Sequence, residues 1–268
     1  MPEEIAAMHV EIYVALHKDY RVAADEVYRP ILAGAEINTA ARKRAEVEHW
    51  IMDNTYIHIS GKNTQYCELT ALFWAWKNAT AEYIGLVHYR RYFSSKRVTV
   101  DRWKKIMTGE EIERRLRNFD VLLPKPRQYW IETNYSQYAH AHNEKDLKMT
   151  REILAERFPD YLSTYDSYMK QSGGHRFNML VMKQDKLDAY CTWLFDILFE
   201  LERRMKENGE LKARVIGYVS ERLLDVWLLH NHINYGEVPI LNLERENWLM
   251  KGSAFVLRKL RGERITKI

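Results

Sequence analysis

The fold is decided by one stretch of the chain, Tyr83-Ile84-Gly85-Leu86-Val87-His88-Tyr89-Arg90-Arg91-Tyr92-Phe93. It is an apolar run that ends abruptly in a histidine, two arginines and three aromatic residues. Short apolar runs with small or polar residues on either side are typical of a strand that is covered on both faces in an α/β sheet. We therefore predict an α/β protein in which this segment is a buried strand.

The charged residues that end this run suit an anionic ligand. In open α/β sheets, ligands bind beyond the carboxyl ends of the strands, where His88, Arg90 and Arg91 would emerge. A guanidinium donates bidentate hydrogen bonds to phosphate oxygens, and two adjacent positive charges offset a diphosphate leaving group. The alternative is that Arg90 and Arg91 only form ion pairs with surface carboxylates.

The composition predicts one compact domain with a full core, because the 268-residue chain is 46% hydrophobic and has only 11 Gly and 6 Pro. No apolar segment approaches the ~18 residues that a transmembrane helix requires, and the first residues lack the features of a signal peptide. We therefore expect a cytoplasmic protein. Cys67 and Cys191 fall in apolar helical patterns and are expected to be reduced core thiols.

Positive charge is concentrated in the C-terminal tail. Residues 251–268 hold six basic side chains and one acidic side chain, a net charge of +5, whereas the whole chain has +4. We expect residues 1–250 to form the single domain. The tail also contains apolar residues such as Phe255 and Leu257, so it suits an anionic membrane surface, with a solvated terminus as the alternative. Nucleic acid binding is not expected, since the body of the chain has no net positive charge.

Two other segments are predicted to reach the same end of the sheet. Residues 9–16 predict a first strand, and the loop after it, which begins at His17, lies where a nucleotide commonly binds. A glycine-rich phosphate-binding fingerprint does not follow this strand. A helix is predicted from residue 63 onward, capped by Asn63 or Thr64, with free backbone amides that favour an anion. Glu68 in its first turn suits the helix dipole.

An aromatic stretch over residues 129–142 predicts a sugar-binding loop. Its rings, including Tyr135 and Tyr138, alternate with amides and hydroxyls. A sugar packs its C–H face on rings, while its hydroxyls need directed hydrogen bonds. His140 and His142 are the weaker alternative of a metal site, because a lone His-x-His pair needs further ligands.

The remaining pattern predicts helices and strands that frame a carboxylate. Helices are predicted over 101–118, 149–169, 187–205 and 213–230, strands over 119–124, 177–182 and 237–243, and a flexible loop over 172–176. Gly217 lies one turn before Glu221, so a partner can approach that carboxylate closely. A partly desolvated carboxylate can act as a general base, whereas the alternative role of Glu221 is an ion pair. The last strand contains Pro239 and is expected to be an edge strand.

Four blocks of the sequence resemble a known family: residues 63–78, 83–93, 135–142 and 220–224. They are similar to blocks of bacterial polysaccharide glycosyltransferases, a family first catalogued as domain of unknown function 4422. The resemblance runs from about residue 9 to residue 250. It implies a GT-A-like α/β fold, a nucleotide-sugar-binding sandwich whose mostly parallel central sheet is flanked by helices. The implied activity is transfer from a UDP-sugar, with galactofuranosyl transfer known among relatives, to a growing capsule, exopolysaccharide or O-antigen acceptor that is expected to be lipid-linked.

The sequence departs from the GT-A pattern in one way that bears on metal. The strand that ends at His88 occupies the place where many GT-A enzymes carry Asp-x-Asp. Two carboxylates would hold a divalent cation against the diphosphate, whereas His88, Arg90 and Arg91 can neutralise it directly. We therefore expect no metal cofactor, with Mn²⁺ or Mg²⁺ as the alternative. Residues 54–58 also depart from the family pattern and are given no role.

The resemblance assigns roles to individual residues. The donor diphosphate is expected to contact His88, Tyr89, Arg90, Arg91, Asn63 and His17. The donor sugar and the acceptor are expected to contact Tyr135, Tyr138, His142, His175, Arg176 and Asn178. If the reaction inverts, Glu221 is the expected base for the acceptor hydroxyl, and His140 is the second candidate.

Two other functions stay open at this point. Arginines and histidines also suit a sugar phosphotransferase, although that chemistry usually needs carboxylate-bound magnesium. A non-catalytic polysaccharide-binding or scaffold protein would keep the aromatic stretch but would not need Arg90, Arg91 and Glu221 beside it.

Overall fold

The computed structural model describes residues 8–244, which form a nine-stranded mixed sheet with helices on both faces. The predicted tail over residues 251–268 lies outside the described residues. The strands are β1 (Val10–Leu16), β2 (Tyr28–Leu32), β3 (Ile51–Met52), β4 (Tyr83–His88), β5 (Arg91–Phe93), β6 (Val121–Pro124), β7 (Leu180–Lys183), β8 (Tyr235–Val238) and β9 (Ile240–Asn242).

The main sheet has the strand order β3-β2-β1-β4-β7-β6-β8. Strand β7 runs antiparallel to both of its neighbours, and every other neighbouring pair on this path is parallel. Strand β5 turns back from β4 and pairs with β9 beside the main sheet. The predicted α/β fold with a mostly parallel central sheet is confirmed.

Nine α-helices are present among the described residues and cover the sheet. They are α1 (Thr39–Val47), α2 (Asn63–Tyr66), α3 (Leu69–Asn78), α4 (Gly109–Leu116), α5 (Asn134–Ala141), α6 (Glu144–Arg157), α7 (Leu162–Lys170), α8 (Gln184–Glu207) and α9 (Val215–His230). Helices α3 and α5 to α9 contribute to the core on one face of the sheet, and α1 and α4 contribute to the core on the other.

Strand β4 shows why the opening stretch decides the fold. Ile84 and Leu86 pack into the core on one face, and Tyr83 and Val87 pack into the core on the other. Gly85 lies between them, where a Cβ atom would come within 2.8 Å of a Val181 methyl carbon on β7. Burial on both faces explains the unbroken apolar run, and the close approach of β7 explains the glycine.

The helix predicted from residue 63 is wrong in one respect, because it is two helices. Cys67 has φ 53° and separates the single turn of α2 from α3. Asn63 does not cap a helix, since its side-chain amide donates to the Cys67 carbonyl at 2.7 Å and to the Thr70 hydroxyl at 3.0 Å. Asn63 therefore stabilises the break between the helices, and the helix that begins at Asn63 is a single turn without a side-chain cap.

The aromatic stretch is also not a loop throughout, because residues 134–141 form α5. Thr133 caps this helix, with its side chain accepting from the Ser136 amide and the Ser136 side chain accepting from the Thr133 amide. Such reciprocal caps satisfy backbone amides that would otherwise lack a partner. Tyr135 and Tyr138 are therefore fixed on a helix that packs against α6 and α7.

Three other predicted elements differ in extent. Phe177 and Asn178 have φ of 75° and 51°, which is incompatible with an extended strand, so β7 begins only at Leu180. Pro239 separates β8 from β9 and does not begin a strand. Only residues 109–116 of the covering helix predicted over 101–118 are α-helical, after a 3-10 turn at Trp103–Lys105.

The described residues include no helix that is both long and apolar enough to cross a membrane. Cys67 and Cys191 are both free thiols, as predicted, although only Cys191 is fully buried.

Candidate active site at the carboxyl end of β4

His88 is the last residue of β4 and is hydrogen-bonded to the segment that precedes β7. Its Nε2 lies 2.5 Å from the Phe177 carbonyl oxygen. Because a carbonyl only accepts, Nε2 must carry the proton, which leaves Nδ1 as an acceptor if the ring is neutral. Burial lowers the pKa of His88 to about 4; the Phe177 hydrogen bond opposes this effect and the charge of Arg91 adds to it. His88 is therefore a neutral imidazole at physiological pH.

Arg90 and Arg91 flank His88 but have different partners. Arg90 forms an ion pair with Glu244, with 3.3 Å between Nη1 and Oε2, as the surface-pair alternative anticipated. The guanidinium of Arg91 lies 4.4 Å from the centre of the Phe177 ring. Both charges act on His88. The two arginines thus lie near the end of β4, but their guanidinium groups contact different partners.

A third arginine, Arg214, lies in this region and was not predicted from the sequence. Arg214 directly precedes α9 with φ 66°, and its amide donates to the Thr64 carbonyl at 2.8 Å. Its guanidinium lies 5.2 Å from the Tyr218 ring centre, and its charge acts on His17 and Glu68. Only the αL turn before α9 brings it here, and no local sequence signal marks such a turn at an arginine.

Glu221, on α9, is hydrogen-bonded to Phe177, the residue that also binds His88. Its Oε1 accepts from the Phe177 amide at 3.1 Å, and its Oε2 lies 3.5 Å from Arg222 Nη1. The Glu221 side chain is 21% exposed, whereas that of Arg222 is 4% exposed. The predicted ion pair is therefore present, yet the Glu221 side chain stays partly accessible. Through its amide and its carbonyl, Phe177 links the candidate base to His88.

His140, the second candidate base, lies apart from this link. Its side chain is 64% exposed, and its Nδ1 is 2.7 Å from Glu132 Oε1. His142 instead stacks on Tyr218, with ring centres 4.1 Å apart and an interplanar angle of 23°. The two histidines thus have different partners. No group of three or more His, Cys, Asp or Glu side chains that could hold a metal ion is found in residues 8–244.

Asn178 and Glu68 form a polar pair beneath the site. The Asn178 side-chain amide donates to Glu68 Oε1 at 2.7 Å, and its oxygen accepts from the Ser220 hydroxyl at 2.9 Å. Burial raises the pKa of Glu68. Gly217 lies nearby, but the group that approaches it is the backbone of Tyr66, 3.4 Å from where a Cβ atom would be. The glycine therefore serves helix packing.

Four of the predicted sugar contacts are buried at 3% exposure or less: Tyr138, His175, Arg176 and Asn178. Tyr138 donates its hydroxyl to Asp146 at 2.9 Å. His175 Nδ1 is paired with Asp225, and its amide donates to the same carboxylate at 2.9 Å. These side chains have their hydrogen-bond partners inside the protein and stabilise the elements that carry the site.

Arg176 and Asp225 are the charged centre of this supporting network. Arg176 donates to the Tyr168 hydroxyl at 2.9 Å and to the Glu221 carbonyl at 3.3 Å, and its side chain also binds Asn134. Burial raises the pKa of Asp225, but hydrogen bonds from His175 and Tyr168 outweigh it and hold that pKa below its ordinary value. Asp225 was not anticipated from the sequence, where it and Glu221 are the two acidic residues of an otherwise largely apolar helix.

Two of the remaining predicted contacts, Tyr135 and His17, are at least partly exposed. Tyr135 is half-buried and donates its hydroxyl to Glu144 at 3.0 Å. His17 packs edge-on against Tyr89, with ring centres 5.0 Å apart. Burial lowers the pKa of His17, with contributions from the charges of Lys18 and Arg90. A cleft of about 500 Å³ opens elsewhere, near the start of β2, and its lining does not include His88 or Glu221.

The comparisons with known proteins agree with this architecture. Residues 11–232 match the family described as "Domain of unknown function (DUF4422)", so the chain belongs to that family. The fold is similar to that of the bifunctional glycosyltransferase WbbM in its apo structure, with a TM-score of 0.75 and 27% sequence identity. This match covers 89% of the present chain but 46% of WbbM, so the chain corresponds to less than half of that protein. No curated protein sequence matches the chain.

Proposed function

We propose that this protein is a glycosyltransferase that uses a nucleoside-diphosphate sugar. The observation that carries the proposal is the pair of Arg90 and Arg91 beside a neutral His88, with Arg214 acting on nearby His17 and a partly exposed Glu221 on α9. Positive charge at this edge of the sheet suits a departing diphosphate, whose charge grows in the transition state. The similarity to WbbM, which is named as a glycosyltransferase, supports the same function.

Glu221 is the proposed general base. It takes the proton from an acceptor hydroxyl while the acceptor oxygen forms a bond to the anomeric carbon of the donor. The bond from that carbon to the diphosphate breaks, and its electron pair leaves with the diphosphate. The Phe177 amide holds one carboxylate oxygen at 3.1 Å, which fixes the direction of the other. Such a single displacement is the inverting course, which is part of the proposal.

The arginines are the proposed diphosphate contacts. Arg91 and Arg214 both act on Glu68, and Arg90 and Arg214 both act on His17, so the three charges converge on one region. This convergence supports binding of the diphosphate by guanidinium groups without a divalent cation. The ion pair of Arg90 with Glu244 would have to open or to share its charge when the donor binds.

The finer assignments complete the proposal. We propose a UDP-sugar as the donor, UDP-galactofuranose first, and a glycan of polysaccharide biosynthesis as the acceptor, lipid-linked and presented at the inner face of the cell membrane. His142 stacks on Tyr218, which lies one turn before Glu221 on α9. This pair of rings is the proposed platform for a sugar ring.

The test is UDP release from a panel of UDP-sugars, with and without glycan acceptors. Release of UDP with one donor, faster when acceptor is added, supports the transferase. Transfer of phosphate to a sugar, with no UDP released, would support a phosphotransferase. Glycan binding with neither reaction would support a binding protein.

A further inference from the structure

Two loops expose large apolar side chains almost completely. In the first, Val98 and Val100 are each 102% exposed, and in the second, Trp130 is 93% and Ile131 is 74% exposed. Single apolar residues on a surface are ordinary, but pairs concentrated in two loops suggest a surface that meets an apolar phase. We refer to residues 94–105 and 125–131 as the front loops.

The front loops begin beside the same short segment of chain. The Ser94 amide donates to the Pro239 carbonyl at 2.7 Å, and the Lys125 amide donates to the Val238 carbonyl at 2.8 Å. Val238 ends β8, and Pro124, the last residue of β6, is its partner in the parallel register. The first loop follows β5 and the second follows β6, and both therefore begin beside the carboxyl end of β8.

The second front loop is held at its base. Arg127 and Gly174 exchange backbone hydrogen bonds of 2.9 and 3.0 Å, and the Ser172 hydroxyl donates to the Glu132 carbonyl at 2.9 Å. These bonds fix both ends of the loop, and Trp130 and Ile131 lie between them at its tip. A tip that is presented in this way loses little conformational freedom when it binds.

The charge of the front loops is strongly positive. Residues 94–105 contain five basic side chains and one acidic side chain, and residues 125–131 contain Lys125 and Arg127 and no acidic residue. Lys96, Lys125 and Arg127 are exposed. Exposed apolar residues with basic neighbours complement anionic lipid headgroups above a hydrocarbon layer, and tryptophan favours that boundary.

We propose that the front loops dock on the surface of an anionic lipid bilayer, with Val98, Val100, Trp130 and Ile131 entering the headgroup region. This proposal uses only residues outside the basic tail and does not depend on the proposed transferase activity. It also lies close to the candidate site. The Tyr129 hydroxyl accepts from Arg176 Nε at 3.1 Å, and Arg176 donates to the Glu221 carbonyl at 3.3 Å.

The test is co-sedimentation of the full 268-residue chain with vesicles of phosphatidylcholine, with and without phosphatidylglycerol. We expect binding only to the anionic vesicles, weakened by salt. Trp130→Ser plus Ile131→Ser, and Val98→Ser plus Val100→Ser, should each weaken binding at least about tenfold, since burial of one large apolar side chain changes an equilibrium by that factor or more.

The matched control is Tyr56→Ser plus Ile57→Ser. These residues are 84% and 59% exposed but have no Lys or Arg among positions 53–59, so their loss should leave vesicle binding unchanged. Wild-type protein that fails to bind anionic vesicles would overturn the proposal. So would front-loop variants that bind as tightly as wild type, because another part of the chain would then carry the binding.

A second readout reports insertion directly. Lipids brominated near the headgroup quench tryptophan fluorescence at short range, and Trp130 is one of eight tryptophans. Trp130→Phe should keep vesicle binding and lose most of the quenching. Quenching that persists at the wild-type level in this variant would show that Trp130 does not enter the bilayer.

Discussion

Replacing Glu221 with glutamine removes the proposed base and keeps most of its surroundings. Glutamine can still accept from the Phe177 amide through its oxygen, so the bond now 3.1 Å long can be kept. The change removes the charge that faces Arg222, whose side chain is only 4% exposed, and weakening that pair should cost about 1–2 kcal/mol of folding free energy. A domain stable by about 5–15 kcal/mol stays folded after such a loss.

The rate of transfer should respond far more strongly than stability. General base catalysis contributes roughly a hundredfold to ten-thousandfold to a rate, so kcat should fall by a factor in this range while UDP affinity is unchanged. Rates are measured as UDP release in the presence of acceptor, and folding is checked by urea unfolding. His140→Ala is the matched comparison, and it should leave the rate near wild type because His140 is paired with Glu132. A Glu221→Gln variant with a wild-type rate, beside an inactive His140→Ala variant, would refute this reasoning.

Three other predictions concern the surroundings of Glu221. Arg214→Ala should weaken UDP binding, measured by calorimetry, about tenfold or more, since a charge-assisted hydrogen bond contributes about 1.5–3 kcal/mol. The control is Arg114→Ala, which removes only an exposed ion pair with a glutamate on α4 and should leave the UDP affinity unchanged. Tyr168→Phe leaves the buried Asp225 carboxylate without one hydrogen-bond donor, so the free energy of unfolding in urea should fall by about 1–3 kcal/mol. A change near zero would mean that this hydrogen bond does not stabilise the fold. The pKa of His88 is lowered to about 4, so the unfolded chain takes up a proton first as pH falls. The contribution of neutral His88 to the free energy of unfolding should therefore be complete above pH ~6.5 and be lost as pH falls toward 4. In His88→Gln, the free energy of unfolding should change less with pH over that window.

The sequence predicted the central strand and the helices because local patterns determine them. The apolar run before His88 is buried on both faces, and the apolar stripes of α8 and α9 face the core as their spacing indicates. Helix α5 was missed because aromatic and polar residues alternate in it, yet Thr133 and Ser136 form a capping pair that could have revealed its start. That pair differs from the usual Glu or Gln at the third helical position.

The parts of the site that sequence analysis missed depend on unusual backbone geometry. Cys67, Phe177 and Arg214 all have positive φ, and these turns bring α9, the end of β4 and the segment before β7 together. Residues other than glycine adopt this conformation only when tertiary contacts hold them there, so it cannot be predicted from local propensity. Asp225 was overlooked for a related reason, because its partners Tyr168 and His175 lie on other elements.

Calorimetric titration of the 268-residue chain with UDP tests the central claim most directly. The titration is made with and without manganese, on the wild type and on a variant with Arg90→Ala and Arg91→Ala. The account predicts UDP binding without metal that is abolished in the double variant, while the Arg114→Ala control binds as the wild type does. Failure to bind UDP under either condition would contradict the proposed nucleotide-sugar site. Binding only with manganese, or equal binding by the double variant, would contradict the proposal that guanidinium groups hold the diphosphate.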